Sequence, residues 1–422
     1  MSANASSATV SGPPNTTALP LKTQLRRAER LKKLKYGALI APLALFLLLT
    51  FLWPIGALLM RSVENPEVPE ALPQTLHALA GWDRQALPGD AVFAALVADL
   101  TENKGSRTLA VAAKRLNMEE PGFRSLFMNS ARKMPLEPGV APRQALLEMD
   151  PQWGELATWQ LIARNGRAYT DYFLLAALDM YRDGAGDITQ ADPLSSIFVD
   201  IFARTFWMSL IVTIWCLALG YPVAYLLATQ SSRVSNLLMI FVLLPFWTSI
   251  LVRVAAWIVL LQQGGLINMG LISLGIIDQP LQLVFNRIGV YIAMVHILLP
   301  FMILPLYSVM KGISPTYLRA AVSLGCPPFR SYWKVYFPMT VPGVAAGGLL
   351  VFIIAMGYYI TPALLGSPKE QMASYFVAFY TNETTNWGMA AALSAVLLVA
   401  TMILYFVYNR LVGSASSGAK PR

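Results

Sequence analysis

Charged residues are few, 13% of 422, where an ordinary soluble domain carries about 25%. So little charge cannot solvate a surface of this size. With 56% hydrophobic residues, much of that surface must face lipid. Cysteine is nearly missing: Cys216 and Cys326 lie too far apart in the chain to suggest a disulfide framework or a metal site. The two histidines, His77 and His296, form no ligand cluster. No G-x-x-x-x-G-K-[ST] occurs, which excludes a P-loop ATPase. No H-E-x-x-H, C-x-x-C or G-x-S-x-G occurs either, so no catalytic residue is assigned and no enzymatic activity is expected.

Apolar length is what the chain does have. Six stretches reach the roughly 20 residues a spanning helix needs: Tyr36–Met60, Ile201–Ala228, Leu237–Leu261, Val290–Met310, Val341–Leu365 and Trp387–Val412. The first is longer than the apolar core of a signal peptide and ends in a poor cleavage site, so it is expected to stay. The formal net charge of +9 does not point to nucleic acid, because the basic residues are placed by membrane rules. Lys22, Arg26, Arg27, Arg30, Lys32, Lys33 and Lys35 precede the first span against Glu29 alone. Alternation from a cytoplasmic N-terminus puts Arg233, then Lys311, Arg319, Arg330 and Lys334, then Arg410, Lys420 and Arg422 inside. Residues Met1–Leu19, rich in Ser, Thr, Asn, Ala and Pro, are expected to be disordered.

These features divide the chain into a basic cytoplasmic tail (1–35), a first span (36–60), a large extracytoplasmic insertion (61–199), a membrane core (200–412) and a short cytoplasmic tail (413–422). The insertion carries apolar residues at three- and four-residue spacing in AVFAALVADL and YFLLAALDMYRD, which predicts a mostly helical domain. The spans contain almost no Asp or Glu, although carriers driven by protons or sodium need ionisable groups or interrupted helices near the midplane. Something outside the chain must therefore supply the work.

One cytoplasmic segment, SPTYLRAAVSLGCPPFRSYWKVYFP, stands between the fourth and fifth spans. Ser314 and Pro315 suit a helix start, and Gly325 suits its stop. Cys326-Pro327-Pro328 restarts the chain, and Pro338 closes the second piece. Tyr317, Ala321 and Leu324 share one side by helical spacing. Phe329, Tyr332, Trp333 and Tyr336 are too many aromatics for a solvated loop, though a membrane-surface amphipathic helix also fits.

The segment resembles the EAA motif of ABC importer permeases: E-A-A, three residues, G, nine residues, then I-x-L-P. Here Arg319-Ala320-Ala321 is followed at that spacing by Gly325 and Val335-Tyr336-Phe337-Pro338. Arg319 reverses the charge of the family's Glu. RTFWMSLIVTIWCLALGYPVAYLLA, LLPFWTSILVRVAAWIVLLQQGGLIN, LPFMILPLYSVMKGIS and TPALLGSPKEQMAS resemble permeases of the spermidine/putrescine group. The resemblance implies an all-α membrane protein with the type I importer fold. It also implies a second permease subunit, two ATPase subunits that bind the ATP and Mg, a periplasmic binding protein and polyamine import. Tyr317, Leu318, Arg319, Ala320, Ala321, Leu324, Gly325 and Pro338 are then the contact with the ATPase. The remaining readings are a permease for another small solute (amino-acid-like, opine or phosphonate), a secondary transporter or channel working alone, or a membrane-anchored enzyme or assembly factor.

Candidate path residues are Trp247, Ser249, Arg253, Trp257, His296, Tyr358 and Tyr359. Ser249, Arg253 and Trp257 follow at four-residue steps, which predicts one helical face with a guanidinium over an indole. A snorkelling or packed Arg fits equally, and a cation there opposes a polyamine. His296 fits a hydrogen-bonded packing residue, and Tyr358 and Tyr359 fit interface anchors. Gly343 and Gly347, a G-x-x-x-G pair, predict close helix packing.

Overall fold

A proline inside a helix loses a backbone hydrogen bond, and its ring collides with the carbonyl four residues back. The chain resolves this in the same way twice. A π-turn at Leu48–Leu52 hands over through Trp53 to Pro54, and another at Tyr332–Tyr336 hands over through Phe337 to Pro338. In each the residue before the proline donates its N–H five residues back, to Leu48 and to Tyr332. The widened turn moves the obstructing carbonyl aside. Pro338 therefore does not close the second piece of the cytoplasmic segment, as its sequence suggested. The helix runs on through it to Met356.

The computed structural model describes residues 21–417 except 184, 185, 194 and 195. The disorder expected for 1–19 and the inside positions of Lys420 and Arg422 lie outside the described residues. The first unit reaches Leu58. In it a helix begins inside the basic tail at Leu21 and continues through the first π-turn. Its apolar side chains are exposed, Leu39 at 81% and Trp53 at 70%, as a lipid-facing helix requires.

The second unit, Leu59–Arg422, holds the insertion and the membrane core. Helices Asp90–Glu102, Arg107–Glu119, Phe123–Arg132 and Leu156–Arg164 enclose Phe93, Phe127, Trp153 and Trp159. Asp99, fully buried, accepts the Thr75 N–H at 2.7 Å and its hydroxyl at 2.6 Å. The helical pattern read across YFLLAALDMYRD is half right. The helix Tyr172–Ala176 stops, and Met180–Arg182 pairs antiparallel with Ile188–Gln190. The cause is Asp179. Its carboxylate accepts the N–H groups of Ile197, Phe198 and Val199, at 3.1, 3.0 and 2.7 Å. It thus caps the second span, and its own φ of 55° turns the chain out of the helix.

Among the described residues six helices are long and apolar enough to cross a membrane: Lys32–Met60, Phe198–Thr229, Ile250–Ser273, Arg287–Lys311, Pro328–Met356 and Trp387–Arg410. Arg287–Lys311 is the central one, with 56% of its apolar window buried against 22% for the last. Glycines let its neighbours approach. A Cβ on Gly347 would stand 2.9 Å from Met302 Sδ, and one on Gly343 3.0 Å from Val309 Cβ. The close packing expected of that pair is present. Two span boundaries differ from the sequence reading. The fifth ends at Met356, and Ile360–Leu365 is a separate short helix. The third crossing is broken: Ser232–Leu243 tightens into a 3-10 turn at Leu244–Trp247, and helix resumes only at Ile250. Apolar length cannot reveal such a break. Pro245 starts the tight turn, and Thr248 is extended, with φ −104° and ψ 144°.

Candidate coupling segment and translocation path

The segment between the fourth and fifth spans is two short helices joined by a glycine turn, as its sequence predicted. Thr316–Ser323 begins two residues after Ser314, whose hydroxyl accepts the Thr316 N–H at 3.3 Å. It ends in a Schellman turn: the Cys326 N–H reaches the Ala321 carbonyl at 3.1 Å, and the Gly325 N–H reaches Val322 at 2.9 Å. Gly325 has φ 90°, yet a Cβ there would meet nothing within 4 Å. Glycine is required by the backbone angle alone. Pro328–Ser331 then restarts the chain, and the buried Ser331 hydroxyl bonds the Cys326 carbonyl at 3.1 Å.

The outward face of this segment is apolar and uncovered. Leu324 is 88% exposed, Phe329 75% and Tyr317 54%. Leu318 and Ala321 are half-buried, Ala320 is exposed, and the exposed Arg319 makes no ion pair among the described residues. The inward root is a tyrosine cluster that sequence reasoning only partly found. Tyr332 donates its hydroxyl to the Tyr221 hydroxyl at 3.1 Å, and Tyr221 meets Thr340 Oγ1 at 3.1 Å. The Tyr225 ring stands edge-on to Tyr332 and Tyr336, with centroids 5.6 and 5.4 Å apart. The crowding of aromatics after Pro328 was the available signal. Its partners on the second span carried none.

The path candidates separate. Trp257 donates its indole N–H to His296 Nδ1 at 3.1 Å, with the rings edge-on at 5.4 Å. His296 is therefore a hydrogen-bonded packing residue that accepts on Nδ1. The predicted stacking of Arg253 on Trp257 does not occur, because that indole turns to the fourth span where an acceptor waits. Arg253 has its Nε buried without a hydrogen-bond partner. Tyr358 sits beside Thr361 and within electrostatic reach of Arg253, so Arg253, His296 and Tyr358 gather where three elements meet. Thr361 was not foreseen. Ser249 stands at the start of that helix, and its carbonyl accepts the Arg253 N–H, one turn on, at 3.1 Å. Trp247 and Tyr359 stand apart and exposed, at 76% and 41%. The buried Glu370 is capped by Ser367 and faces Arg287 Nε at 3.7 Å. Among the described residues no group of three His, Cys, Asp or Glu is placed to hold a metal.

The model of the binding-protein-dependent transport system inner membrane component family matches residues 220–416. The chain is 36% identical over 245 residues to the spermidine/putrescine transport system permease protein PotB of Haemophilus influenzae, a match covering 56% of this chain and 85% of the relative. It is 34% identical to the protein of the same name from Escherichia coli, over 51% of this chain and 79% of the relative. Among solved structures, a chain of the MetNI methionine ABC transporter is similar over 54% of this chain and 99% of its own, at 14% identity and a TM-score of 0.42, a likeness too slight to carry an argument.

Proposed function

Since the chain belongs to the family of binding-protein-dependent transport system inner membrane components, we propose that it is the permease subunit of an ATP-driven polyamine importer. The reading of the substrate as spermidine or putrescine rests on the relatives named for those solutes. The observation that carries the mechanism is the uncovered apolar face of the cytoplasmic segment, with Leu324, Phe329 and Tyr317 outermost. A short helix stopped by a Schellman turn is stiff, and a stiff element seated in a partner's groove transmits a rigid-body push. The partner is an ATPase that binds ATP and Mg. Two such subunits act on this chain and on a second permease subunit.

With the N-terminus in the cytoplasm, Arg30, Lys32, Lys33 and Lys35 lie inside and the insertion lies outside. A loaded binding protein docks from that side, in part on the insertion. ATP closes the ATPases, the segment moves, and its tyrosine root carries the motion to the second and fifth spans. The path then opens past Arg253, Trp257, His296 and Tyr358. An alkaline phosphatase fusion within 61–193 should be active and one after Met310 inactive. Uptake of radiolabelled spermidine by cells lacking the gene tests the substrate. Unchanged uptake, with no redundant system present, overturns the polyamine reading and leaves the permease class standing.

A further inference from the structure

A polyamine presents ammonium groups, yet Asp200 is the one acidic residue in the six spans, at the outer end of its helix. The acceptors must be of another kind. The broken third crossing supplies them. From Ser232 to Trp247 the chain runs 16 residues, about 24 Å at helical rise, so the break falls within a hydrocarbon layer of about 30 Å. Thr248 returns both its N–H and its hydroxyl to the Pro245 carbonyl, at 3.3 and 2.9 Å. Among the described residues nothing donates to the carbonyls of Phe246, Trp247 or Thr248. All three residues and Ser249 are exposed. Lipid cannot satisfy such groups, so irregular backbone at this depth persists only against protein or a water-filled cavity. Those carbonyls also end a half-helix, where the backbone dipoles leave partial negative charge.

We propose that this break is a binding step for alkylammonium groups. The carbonyls of Phe246, Trp247 and Thr248 accept the N–H donors. The Trp247 indole, 76% exposed beside them, carries the charge on its face. The step binds without a carboxylate, which favours release over trapping. Arg253 opens the next half-helix one turn on, and its like charge limits how long the cation stays. The inference rests on the polyamine reading of the same path.

The test uses the assembled transporter in proteoliposomes with its binding protein, ATP on the ATPase side and radiolabelled spermidine as probe. Trp247→Leu keeps bulk and removes the π face; Trp247→Phe keeps a face. Leu should slow uptake by about tenfold, and Phe should retain most of it. Both should keep ATPase stimulation by the loaded binding protein. Uptake by Trp247→Leu at the wild-type rate overturns the inference and leaves the polyamine reading intact. Loss of assembly in Trp247→Leu also overturns it, because the break would then be covered by the second permease. If the wild-type complex stimulates normally but moves neither spermidine nor putrescine, the polyamine reading fails and the inference with it.

Discussion

The insertion and the membrane core are both helical, but they hide opposite things. In the insertion the large aromatics point inward: Phe93 lies 4.6 Å from Trp159 and Phe127 5.3 Å from Trp153, ring centre to ring centre. Their polar handles are satisfied inside, with Trp153 Nε1 on Ser130 Oγ and Trp159 Nε1 on the Trp153 carbonyl, both at 2.9 Å. In the core large aromatics also turn outward, Trp207 at 56% exposed and Trp215 at 54%. Against its own chain the core buries small and aliphatic side chains such as Val212, Ala224, Leu298 and Met302, and glycines let the helices close on them. Water drives the first arrangement. Lipid removes that drive, and close backbone approach replaces it.

The two regions share one joint. Phe173, Phe198, Ile201, Ala373, Met389 and Leu393 form a single apolar cluster, and Lys114 donates to the Thr384 carbonyl at 2.7 Å. Arg115, nearly buried, pairs with Glu119 at 2.9 Å and lies over the Tyr172 ring at 4.5 Å, bracing the insertion side of it. The insertion is thus held as one piece with the first turns of the second and sixth spans.

The largest expected effect lies on the side of the core with no cover. Gly325→Val forces a β-branched residue to φ 90°, a local strain of about 1–3 kcal/mol. Transport and co-purification of the ATPase should be lost while membrane insertion persists; full transport would sink the coupling role of the segment. In the insertion, Trp153→Ala should cost about 3–5 kcal/mol, because a fully buried indole leaves a cavity. Limited proteolysis should then cut within 67–176 while the ATPase still co-purifies. Loss of both together would erase the contrast between the regions.

Gly388→Ala tests the joint. Its Cβ would fall 2.4 Å from the Phe173 ring, so the cluster must shift at about 1–3 kcal/mol. Response to the binding protein should weaken, read as reduced ATPase stimulation, with basal ATPase activity kept. The smallest effect is one of pH. The Arg182 guanidinium, 2.6 Å from Asp171, holds that carboxyl below its usual range. A depressed folded value stabilises above the ordinary carboxylate pKa and loses that contribution as pH falls through the folded one. Protection of the hairpin amides, taken relative to their intrinsic exchange rate at each pH, should therefore be steady near neutrality and fall only in acid, and Asp171→Asn should flatten that dependence.

Much was legible because lipid imposes simple rules. Apolar length marked the spans. Spacing around Gly325 marked a helix stop that the φ of 90° then explained. Where the reading failed, a distant partner decided. Met180–Arg182 left the helical pattern because Asp179 caps a span eighteen residues on. Trp257 left Arg253 because His296, thirty-nine residues on, offers an acceptor. Neither contact has a local signature.

The sequence by itself determined the class of solvent, the positions of most spans, the helix–glycine–helix of the cytoplasmic segment and the absence of a P-loop, since each follows from composition or from spacing within a few residues. Tertiary structure alone decided the break at Leu244–Ser249, the tyrosine root under the segment, the convergence of Arg253, His296 and Tyr358, and the joint at Gly388. The physical reason is reach. Helical periodicity records which face of a segment is apolar, but a hydrogen bond or a close backbone approach belongs to two segments at once, and only folding brings them together.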